Sequence, residues 1–433
     1  MLLDTIVAPI TGNQPAAVAV IRVSGSEAWL VASRVFSNWP DKPESHKAVY
    51  GRFHTGDDGL ALPFAEGHSY TGEETVEFSI HGSLASVRAL VDLCLASGAR
   101  MAEPGEFTQR AFMNGRMDLT QAEGVRDTIA ASTELQLRQA NLHRNGVLQA
   151  KVSDVLASIR KVLTHVEASV DFSEEIGDFN REAGLLAVCS DNEKVNALLT
   201  TAESGRILRN GLRIAIVGPP NAGKSSLLNA LLGTDRAIVT PIAGTTRDYV
   251  EEQAEISGVL CVLIDTAGLR ESEDPIELLG IQRSHAMAAN ADEVWYVYDA
   301  PVGFSGADEK AVAAFSRPVF VVANKSDLLS IDPARGVAVS AISRSGFEHL
   351  VEHVQGFIEG AGSVPFVNDR QVLPLQRAAE SLDACVMALK NDLPDDLLAV
   401  GLRDAASHLG EITGETATDD IIDRIFHDFC IGK

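Results

Sequence analysis

The chain has 433 residues, about three times the length of an average domain, and 45% of them are apolar, which is enough to build two to four hydrophobic cores. This composition excludes a protein that is mainly disordered. No stretch approaches the roughly 18 consecutive apolar residues of a membrane span, and residues 1–10 lack the basic and then apolar pattern of a secretion signal. We therefore expect a cytoplasmic protein that does not act on membranes.

The charge balance is strongly acidic, with 36 basic and 60 acidic residues and a formal net charge of −24. An even distribution of this charge would repel nucleic acid, so any contact with RNA must be local or shared with a partner. The five cysteines form no CxxC pair, which argues against a zinc site or a disulfide framework. We expect them to be reduced thiols.

Four segments with different periodicities follow one another along the chain. Residues 1–118 alternate short β-rich runs with turn residues before a helical pattern, which predicts a compact α+β domain. Residues 119–210 and 363–433 predict helices, and residues 211–362 predict a doubly wound α/β domain. Each helical half has too few helices to bury its apolar residues, so we expect the α/β domain to be inserted into one helical domain. One long helix should carry the apolar stripe Leu148, Val152, Val155, Ile159, Val162, Val166 and Val170.

A phosphate-binding motif lies between the first strand of the α/β domain and the helix that follows it. Residues 218–225 fit the pattern GxxxxGK[ST] and come directly after the apolar run 212–217. In such a loop the backbone N–H groups surround the phosphates, Lys224 neutralises the β- and γ-phosphate charges, and Ser225 offers a hydroxyl to Mg²⁺. The residues predicted to contact the nucleotide are Asn221, Ala222, Gly223, Lys224, Ser225 and Ser226.

Three further motifs follow in the order that a GTPase requires. Asp265 follows the predicted strand 259–264 and can hold the Mg²⁺ shell, with a flexible glycine beside the γ-phosphate. Asp327 follows the predicted strand 318–323 and can accept two hydrogen bonds from guanine, which adenine cannot donate, so we predict GTP rather than ATP. A loop after the predicted strand 336–339 should brace the base. The predicted contacts are Asp265, Thr266, Ala267, Gly268, Asn324, Lys325, Asp327, Ser340 and Ala341.

A loop rich in glycine and threonine lies between the first two motifs, at residues 240–248. Its threonine hydroxyls can sense the γ-phosphate through Mg²⁺, and the alternative is an ordinary turn. The residues predicted to contact the nucleotide here are Thr240, Pro241, Ile242, Ala243, Gly244, Thr245 and Thr246.

These motifs carry a resemblance to known GTPases. NAGKSSLLNAL, AGTTRD, DTAGLR and NKSD resemble the translation-factor-related GTPases with potassium-dependent switch domains, with Leu269 where Ras-like proteins have a water-orienting glutamine. The flanking segments DTIVAPIT, IRVSG, YTGEETVEF and PGEFTQRAFMNGRMDLTQAE and the last four residues, CIGK, narrow the resemblance. Over essentially the whole chain, the sequence resembles the MnmE (TrmE) family of tRNA-modification GTPases.

The resemblance implies a fold and an activity. The N-terminal domain would bind folate and dimerise, and the P-loop GTPase domain would be inserted into the helical domain. The homodimer would act with an MnmG-type partner that uses FAD and NADH, in a heterotetramer. Together they would modify C5 of the wobble uridine (position 34) of certain tRNAs with a one-carbon unit from 5,10-methylenetetrahydrofolate or 5-formyltetrahydrofolate. The implied ligands are GTP, Mg²⁺, K⁺ and this tetrahydrofolate derivative.

The resemblance also implies roles for single residues in hydrolysis. Ser225 and Thr246 would hold Mg²⁺, Lys224 would be catalytic, and Glu277 would orient the attacking water, although taken alone Glu277 would be read as a solvated helix residue. A potassium ion would occupy the position of an arginine finger where two GTPase domains meet across the dimer. Its implied ligands are Asn221, Thr240, Ile242 and Thr245.

Folate contacts are implied for Arg22, Glu77, Arg116 and Lys433, each of which, taken alone, would be read as a surface charge. A carboxylate such as Glu77 can bind the amide and amine edge of a pterin, and arginines suit the glutamate tail. Cys430 is implied to be catalytic, because a thiolate can add to C6 of uridine or assist the folate chemistry. The alternative for Cys430 is a packed apolar residue.

Two other functions stay open at this point. One is a GTP-switched ribosome-assembly factor without RNA chemistry, which predicts a basic RNA-binding appendage, yet residues 363–433 hold 6 basic and 13 acidic residues. The other is a folate-binding regulatory GTPase without a role in RNA, which differs in whether tRNA binds at all.

Overall fold

The computed structural model describes residues 4–12, 14–171, 179–233, 251–265, 288–329, 333–361 and 364–433. The chain divides into two compact units that are each built from separate stretches of sequence. The first unit holds Met1–Arg126, His143–Asp191 and Arg377–Lys433, and the second holds Asp127–Leu142 and Asn192–Gln376. In the part of the chain that the structure describes, no helix is both long and apolar enough to cross a membrane. The predicted boundaries at residues 118, 210 and 362 stay predictions.

The first unit contains a six-stranded sheet that positions one of the candidate sites. Its strands are β1 (Ile6–Pro9), β2 (Val18–Ser24), β3 (Val49–Arg52), β4 (Asp58–Phe64), β5 (Thr75–His81) and β6 (Arg100–Met101). Their order is β3-β4-β5-β2-β1-β6, and all neighbours are antiparallel except β1 and β6. The alternation of apolar residues along β2 and β5 buries one face of the sheet, with Val23 and Phe78 fully buried. The register places Arg22 directly opposite Glu77.

Helices make up most of the rest of the described chain. They are α1 (Ala28–Val35), α2 (Leu84–Ala96), α3 (Glu106–Met113), α4 (Leu119–Ala130), α5 (Glu134–Arg144), α6 (Val147–Asp171), α7 (Arg181–Leu199), α8 (Ala202–Asn210), α9 (Lys224–Leu232), α10 (Gly306–Ala313), α11 (Phe347–Gly356), α12 (Asp369–Lys390), α13 (Asp395–Thr413) and α14 (Asp419–His427). The first six positions of the predicted stripe on α6 are at most 7% exposed, and α13 packs along this helix. The stripe is wrong at its last position, because Val170, in the final turn, is 44% exposed.

The second unit is built around the doubly wound sheet that the sequence predicts. Its strands are β7 (Leu212–Val217), β8 (Glu251–Ile256), β9 (Val259–Asp265), β10 (Glu293–Asp299), β11 (Val319–Asn324) and β12 (Val337–Ala338), in the order β12-β11-β10-β7-β9-β8. All neighbours are parallel except β8 and β9, which form an antiparallel pair at one edge. Parallel strands end at the same edge of a sheet, so the loops after β7, β10 and β11 meet there. The predicted α/β and α+β classes are both confirmed.

Candidate functional site

The predicted phosphate loop connects β7 to α9, and two of its glycines lie against neighbouring atoms with no space for a side chain. Gly218 has φ +147°, and a Cβ on it would lie 1.9 Å from the Val297 carbonyl oxygen. Gly223 has φ +89°, and a Cβ on it would lie 2.2 Å from Nδ2 of Asn324. Because only glycine combines these angles with such close approaches, both positions require the residue that the motif supplies.

Lys224 lies inside the turn of this loop. Its ammonium donates hydrogen bonds to the carbonyl oxygens of Gly218 and Pro219, each at 2.9 Å. Ser225 and Ser226, in the first turn of α9, are both exposed. An accessible helix N-terminus next to a lysine is a favourable place for phosphate oxygens, because the first N–H groups of a helix have no partner within the helix.

Asn324, at the end of β11, joins three loops. It is 1% exposed, and its Nδ2 donates to the carbonyl oxygens of Ala222 at 2.9 Å and Gly223 at 3.3 Å. Its Oδ1 accepts a hydrogen bond from the backbone N–H of Ala341 at 3.1 Å. The structure therefore gives Asn324 a bracing role between the phosphate loop and the last predicted motif, whereas its direct contact with a nucleotide stays a prediction.

Lys325 adds a second connection to the phosphate loop. Its Nζ donates to the Asn221 carbonyl oxygen at 2.7 Å and to Asp299 Oδ2 at 2.6 Å. Asn221 itself is exposed and has φ 62°, so the lysine fixes a residue in a left-handed conformation that asparagine tolerates. Asp299 was not predicted from the sequence. It is the last residue of β10, at the edge of the sheet where the phosphate loop also begins.

The base-binding end of the site combines an accessible carboxylate with a rigid turn. Asp327 lies in a short 3₁₀ turn, Ser326–Leu328, in which no residue is buried. Ser340 is fully buried, and its hydroxyl accepts a hydrogen bond from the Ser343 N–H at 3.1 Å. Since Ala341 is held by Asn324, the two base-binding motifs are tied together.

Some predicted nucleotide contacts lie outside the described residues, and their roles stay predictions. Asp265 ends β9, where its backbone pairs in register with Ile216 of β7. This position is next to the start of the phosphate loop, as the prediction requires. The predicted residues outside the described part are Thr240, Pro241, Ile242, Ala243, Gly244, Thr245, Thr246, Thr266, Ala267, Gly268 and Glu277.

In the first unit, the structure brings Arg22 and Glu77 together on neighbouring strands. Nε and Nη2 of Arg22 both donate to Oε1 of Glu77, at 2.9 and 2.7 Å. The guanidinium also lies over the rings of Tyr70 and Phe107, at 4.9 and 5.4 Å from their centroids. Arg22 is only 7% exposed, and its Nη1 is buried without a hydrogen-bond partner. A buried donor without a partner is rare and marks a place where a ligand atom can accept.

The C-terminal residues lie against β1, the strand beside β2 in the sheet. Gly432 has φ +96°, and a Cβ on it would lie 2.2 Å from the Pro9 carbonyl oxygen, so the chain end passes close to β1. Burial lowers the pKa of Lys433, the positive charge of Arg22 lowers it further, and the negative charge of Glu77 opposes the shift. Three of the four predicted folate residues therefore form one cluster, which we call the Arg22–Glu77–Lys433 cluster.

Arg116, the fourth predicted folate residue, lies beside the loop that carries Tyr70. Its Nη1 donates to the Gly67 carbonyl oxygen at 3.1 Å, and its side chain is exposed. Cys430 is also exposed, which does not fit the alternative of a packed apolar residue. A catalytic role for its thiol stays a prediction.

A buried charge network behind the cluster was missed by sequence reasoning. Arg110 is 2% exposed, and its guanidinium bonds to Asp4 at 2.8 Å, Glu106 at 2.9 Å and Glu73 at 3.2 Å. Burial opposes the charge on Glu106, but hydrogen bonds from arginines hold its pKa below the ordinary value. The network fixes the loop before β5, in which Tyr70 packs on Arg22. Both Glu106 and Arg110 belong to the quoted segment PGEFTQRAF, which was a usable signal.

Comparison with known proteins identifies the family of the chain. A family model described as the MnmE helical domain matches residues 119–430, and one described as the GTP-binding protein TrmE N-terminus matches residues 5–116. Proteins named tRNA modification GTPase MnmE are 40% identical in Acaryochloris marina, over 97% of both chains, and 40% identical in Moorella thermoacetica, over 100% of both. The protein of that name from Chloroflexus aurantiacus is 42% identical over 99% of this chain and 100% of its own. Among solved structures, a variant of Aquifex aeolicus Era bound to GDP.AlF4- is 26% identical over 39% of this chain and 66% of its own, with a TM-score of 0.27.

Proposed function

The chain belongs to the MnmE family of tRNA modification GTPases and is a GTP hydrolase, and from this premise we propose a more specific reaction. The protein uses potassium-dependent GTP hydrolysis to drive modification of C5 of the wobble uridine of certain tRNAs. The carbon comes from a tetrahydrofolate derivative, and an FAD-dependent partner of the MnmG type completes the reaction. The observation that carries the folate part of the proposal is the buried, unpartnered Nη1 of Arg22 in the Arg22–Glu77–Lys433 cluster.

The nucleotide site fits GTP with Mg²⁺. Gly218 and Gly223 let the phosphate loop turn tightly against its protein neighbours, and the backbone N–H groups of such a loop bind phosphate oxygens. Lys224 supplies the positive charge, Ser225 offers a hydroxyl to Mg²⁺ together with Thr246, and Asp327 pairs with guanine. The hydrogen bonds of Asn324 keep the phosphate and base ends of the site at a fixed separation. The loops therefore lose little conformational freedom when the nucleotide binds.

The proposed potassium site starts from Asn221. Its left-handed backbone is fixed by Lys325, so its exposed side chain is available as a ligand. The other proposed ligands are the carbonyl oxygens of Thr240, Ile242 and Thr245, which follow from the family resemblance. A cation there offsets charge that develops between the β- and γ-phosphates, and Glu277 orients the water.

The cluster in the first unit fits a folate with a pterin edge and a carboxylate tail. Glu77 is partly exposed and can accept from the amide and amine edge of the pterin while it keeps its bond to Arg22. The Nη1 atom of Arg22 can donate to an acceptor atom of the folate, and the Lys433 ammonium can pair with its negative charge. Arg116 is exposed, and we propose that it binds the glutamate tail of the folate. Cys430 is also exposed, and we propose that its thiol acts on the uridine base.

The partners of the reaction follow from charge and from the family. We propose a homodimer that joins the FAD- and NADH-dependent partner in a heterotetramer. Since the chain carries a net charge of −24, most of the positive surface that holds tRNA must belong to that partner. Weak, partner-dependent tRNA binding is therefore expected in the cytoplasm.

The proposal is tested by following the carbon. The purified chain, its partner and tRNA are incubated in K⁺ and Mg²⁺ with GTP, FAD, NADH and methylenetetrahydrofolate that is labelled with ¹³C at the one-carbon unit. The tRNA nucleosides are then analysed by mass spectrometry. Label in a C5-substituted wobble uridine is expected with the wild type and is expected to be lost with Arg22→Gln. Modified uridine without label would reject folate as the donor.

A further inference from the structure

The sheet of strands β7–β12, which we call the GTPase sheet, is joined to helices of the second unit by two connections. Helix α5 contacts both of them. The incoming connection is the end of α8, Leu208 and Arg209, which leads into β7. The outgoing connection is residues 364–368, which lead into α12. Gln136 and Gln139 lie one turn apart on α5 and are only 9% and 8% exposed. Two buried amides on one helix face therefore reach the two segments that carry the sheet.

Gln136 holds the incoming connection. Its Nε2 donates to the Leu208 carbonyl oxygen at 2.9 Å and lies 3.5 Å from that of Arg209. Its Oε1 accepts from the N–H groups of Ser132 at 2.8 Å and Thr133 at 3.1 Å. Because both ends of the amide are used, its orientation is fixed, and moving α8 relative to α5 would leave a buried carbonyl without a partner.

Gln139 holds the outgoing connection in the same way. Its Nε2 donates to the Val364 carbonyl oxygen at 2.9 Å, and its Oε1 accepts from the Phe366 N–H at 3.2 Å. The next residue, Val367, approaches α8 so closely that a Cβ on Gly205 would lie 2.3 Å from its carbonyl oxygen. The outgoing connection is therefore held to α8 as well as to α5.

We propose that Gln136 and Gln139 are positioning residues that form a junction clamp, through which displacement of the GTPase sheet is passed to α5 and onward along the chain. The clamp serves tRNA modification and not GTP hydrolysis, because none of its hydrogen bonds reaches the phosphate loop. This inference rests on the proposed function, in which GTP hydrolysis drives modification of the wobble uridine. Coupling between distant sites is carried by the hydrogen-bond networks and packed segments that connect them, and this buried junction is the hydrogen-bonded connection between the sheet and α5.

The test uses the full chain and perturbs the junction in two independent ways. Gln139→Leu removes the hydrogen bonds to Val364 and Phe366, and Gly205→Ala separates α8 from the outgoing connection while both glutamines stay in place. The matched controls are Gln376→Leu, at an exposed position of α12, and Gly356→Ala, where a Cβ would meet nothing within 4 Å. Three quantities are measured: GTP turnover, wobble-uridine modification in cells that lack the chromosomal gene, and hydrogen exchange of a peptide that covers residues 364–368.

We expect both junction variants to hydrolyse GTP with kcat and KM within about twofold of the wild type, while modification falls about 5- to 150-fold, the range of typical coupling energies. Exchange in residues 364–368 should be faster in both variants, and both controls should match the wild type. Unchanged modification would overturn the inference, and so would a proportional fall of GTP turnover and modification, which would mark a general structural role. If Gln139→Leu does not fold, GTP turnover and modification by Gly205→Ala test the inference in the same way. Absence of modification in cells that express the wild type would instead reject the proposed function, and the exchange measurement would still test the clamp.

Discussion

The ion pair between Arg22 and Glu77 should be among the most sensitive points of the first unit. Glu77→Gln keeps the size of the side chain and removes its charge, so the guanidinium of Arg22 is left buried without a counter-ion. The two side chains are 9% and 23% exposed, and Nη1 has no other partner. Breaking a buried pair costs roughly 3–5 kcal/mol, and we expect about 3 kcal/mol because Glu77 is partly exposed and an amide can still accept one hydrogen bond.

The matched control is Glu44→Gln. The Lys47–Glu44 pair has a comparable distance, 2.9 Å, but its side chains are 65% and 71% exposed. Its loss should cost less than about 1 kcal/mol, since water screens exposed charges. A cost of about 3 kcal/mol corresponds to a fall in melting temperature of roughly 6–12 °C for a unit of this size.

Differential scanning calorimetry of the full chain measures the difference. GDP is added so that the transition of the second unit can be recognised by its ligand-induced shift. We expect the other transition to move down by several degrees in Glu77→Gln and to stay almost unchanged in Glu44→Gln. Equal shifts in the two variants would refute the argument that the burial of Arg22 makes this pair costly to break.

Four further predictions concern the two sites. Gly223→Ala should abolish binding of a fluorescent GTP analogue, because its Cβ would lie 2.2 Å from Asn324 Nδ2, and unchanged affinity would contradict the loop geometry. Asp327→Asn should weaken GTP binding by at least about a hundredfold and favour xanthosine triphosphate, whose C2 oxygen accepts a hydrogen bond, and an unchanged preference in competition assays would exclude Asp327 from base recognition. GTP turnover should be much faster in K⁺ than in Na⁺, whereas equal rates would remove the proposed potassium site. The affinity for 5-formyltetrahydrofolate, measured by calorimetry, should fall as the pH rises toward the lowered pKa of Lys433, because its ammonium is then lost, whereas Lys433→Arg should remove this pH dependence.

Local pattern was sufficient for the parts of the fold that are buried and regular. The predicted strands 212–217, 259–264 and 318–323 lie within one residue of the observed ends of β7, β9 and β11, because a strand covered on both faces must be apolar throughout. β8 has the sequence EEQAEI and was missed, since an edge strand with polar residues carries no such signal. Val170 shows the opposite error, because helical spacing continues past the point where burial ends.

Some site residues could likewise be predicted from local sequence, and others depend on contacts between distant segments. The positions of Lys224 and Asp327 beside strand ends could be predicted, because each motif directly follows an apolar run. The bracing by Asn324 and the ion pair of Asp299 with Lys325 depend on loops that lie far apart in sequence, so no spacing rule gives them. The partners of Arg22 were likewise unreadable from spacing, because they come from β5, the loop before it and the end of the chain.

The central claim, that this chain modifies wobble uridines with the help of its folate cluster, is tested most directly by nucleoside mass spectrometry of bulk tRNA. Cells that lack the gene are compared with cells that express the wild type, Arg22→Gln or the control Glu44→Gln. We expect C5-substituted wobble uridines to be lost on deletion, restored by the wild type and the control, and not restored by Arg22→Gln. Full restoration by Arg22→Gln, or an unchanged profile on deletion with no second copy of the gene, would contradict the account.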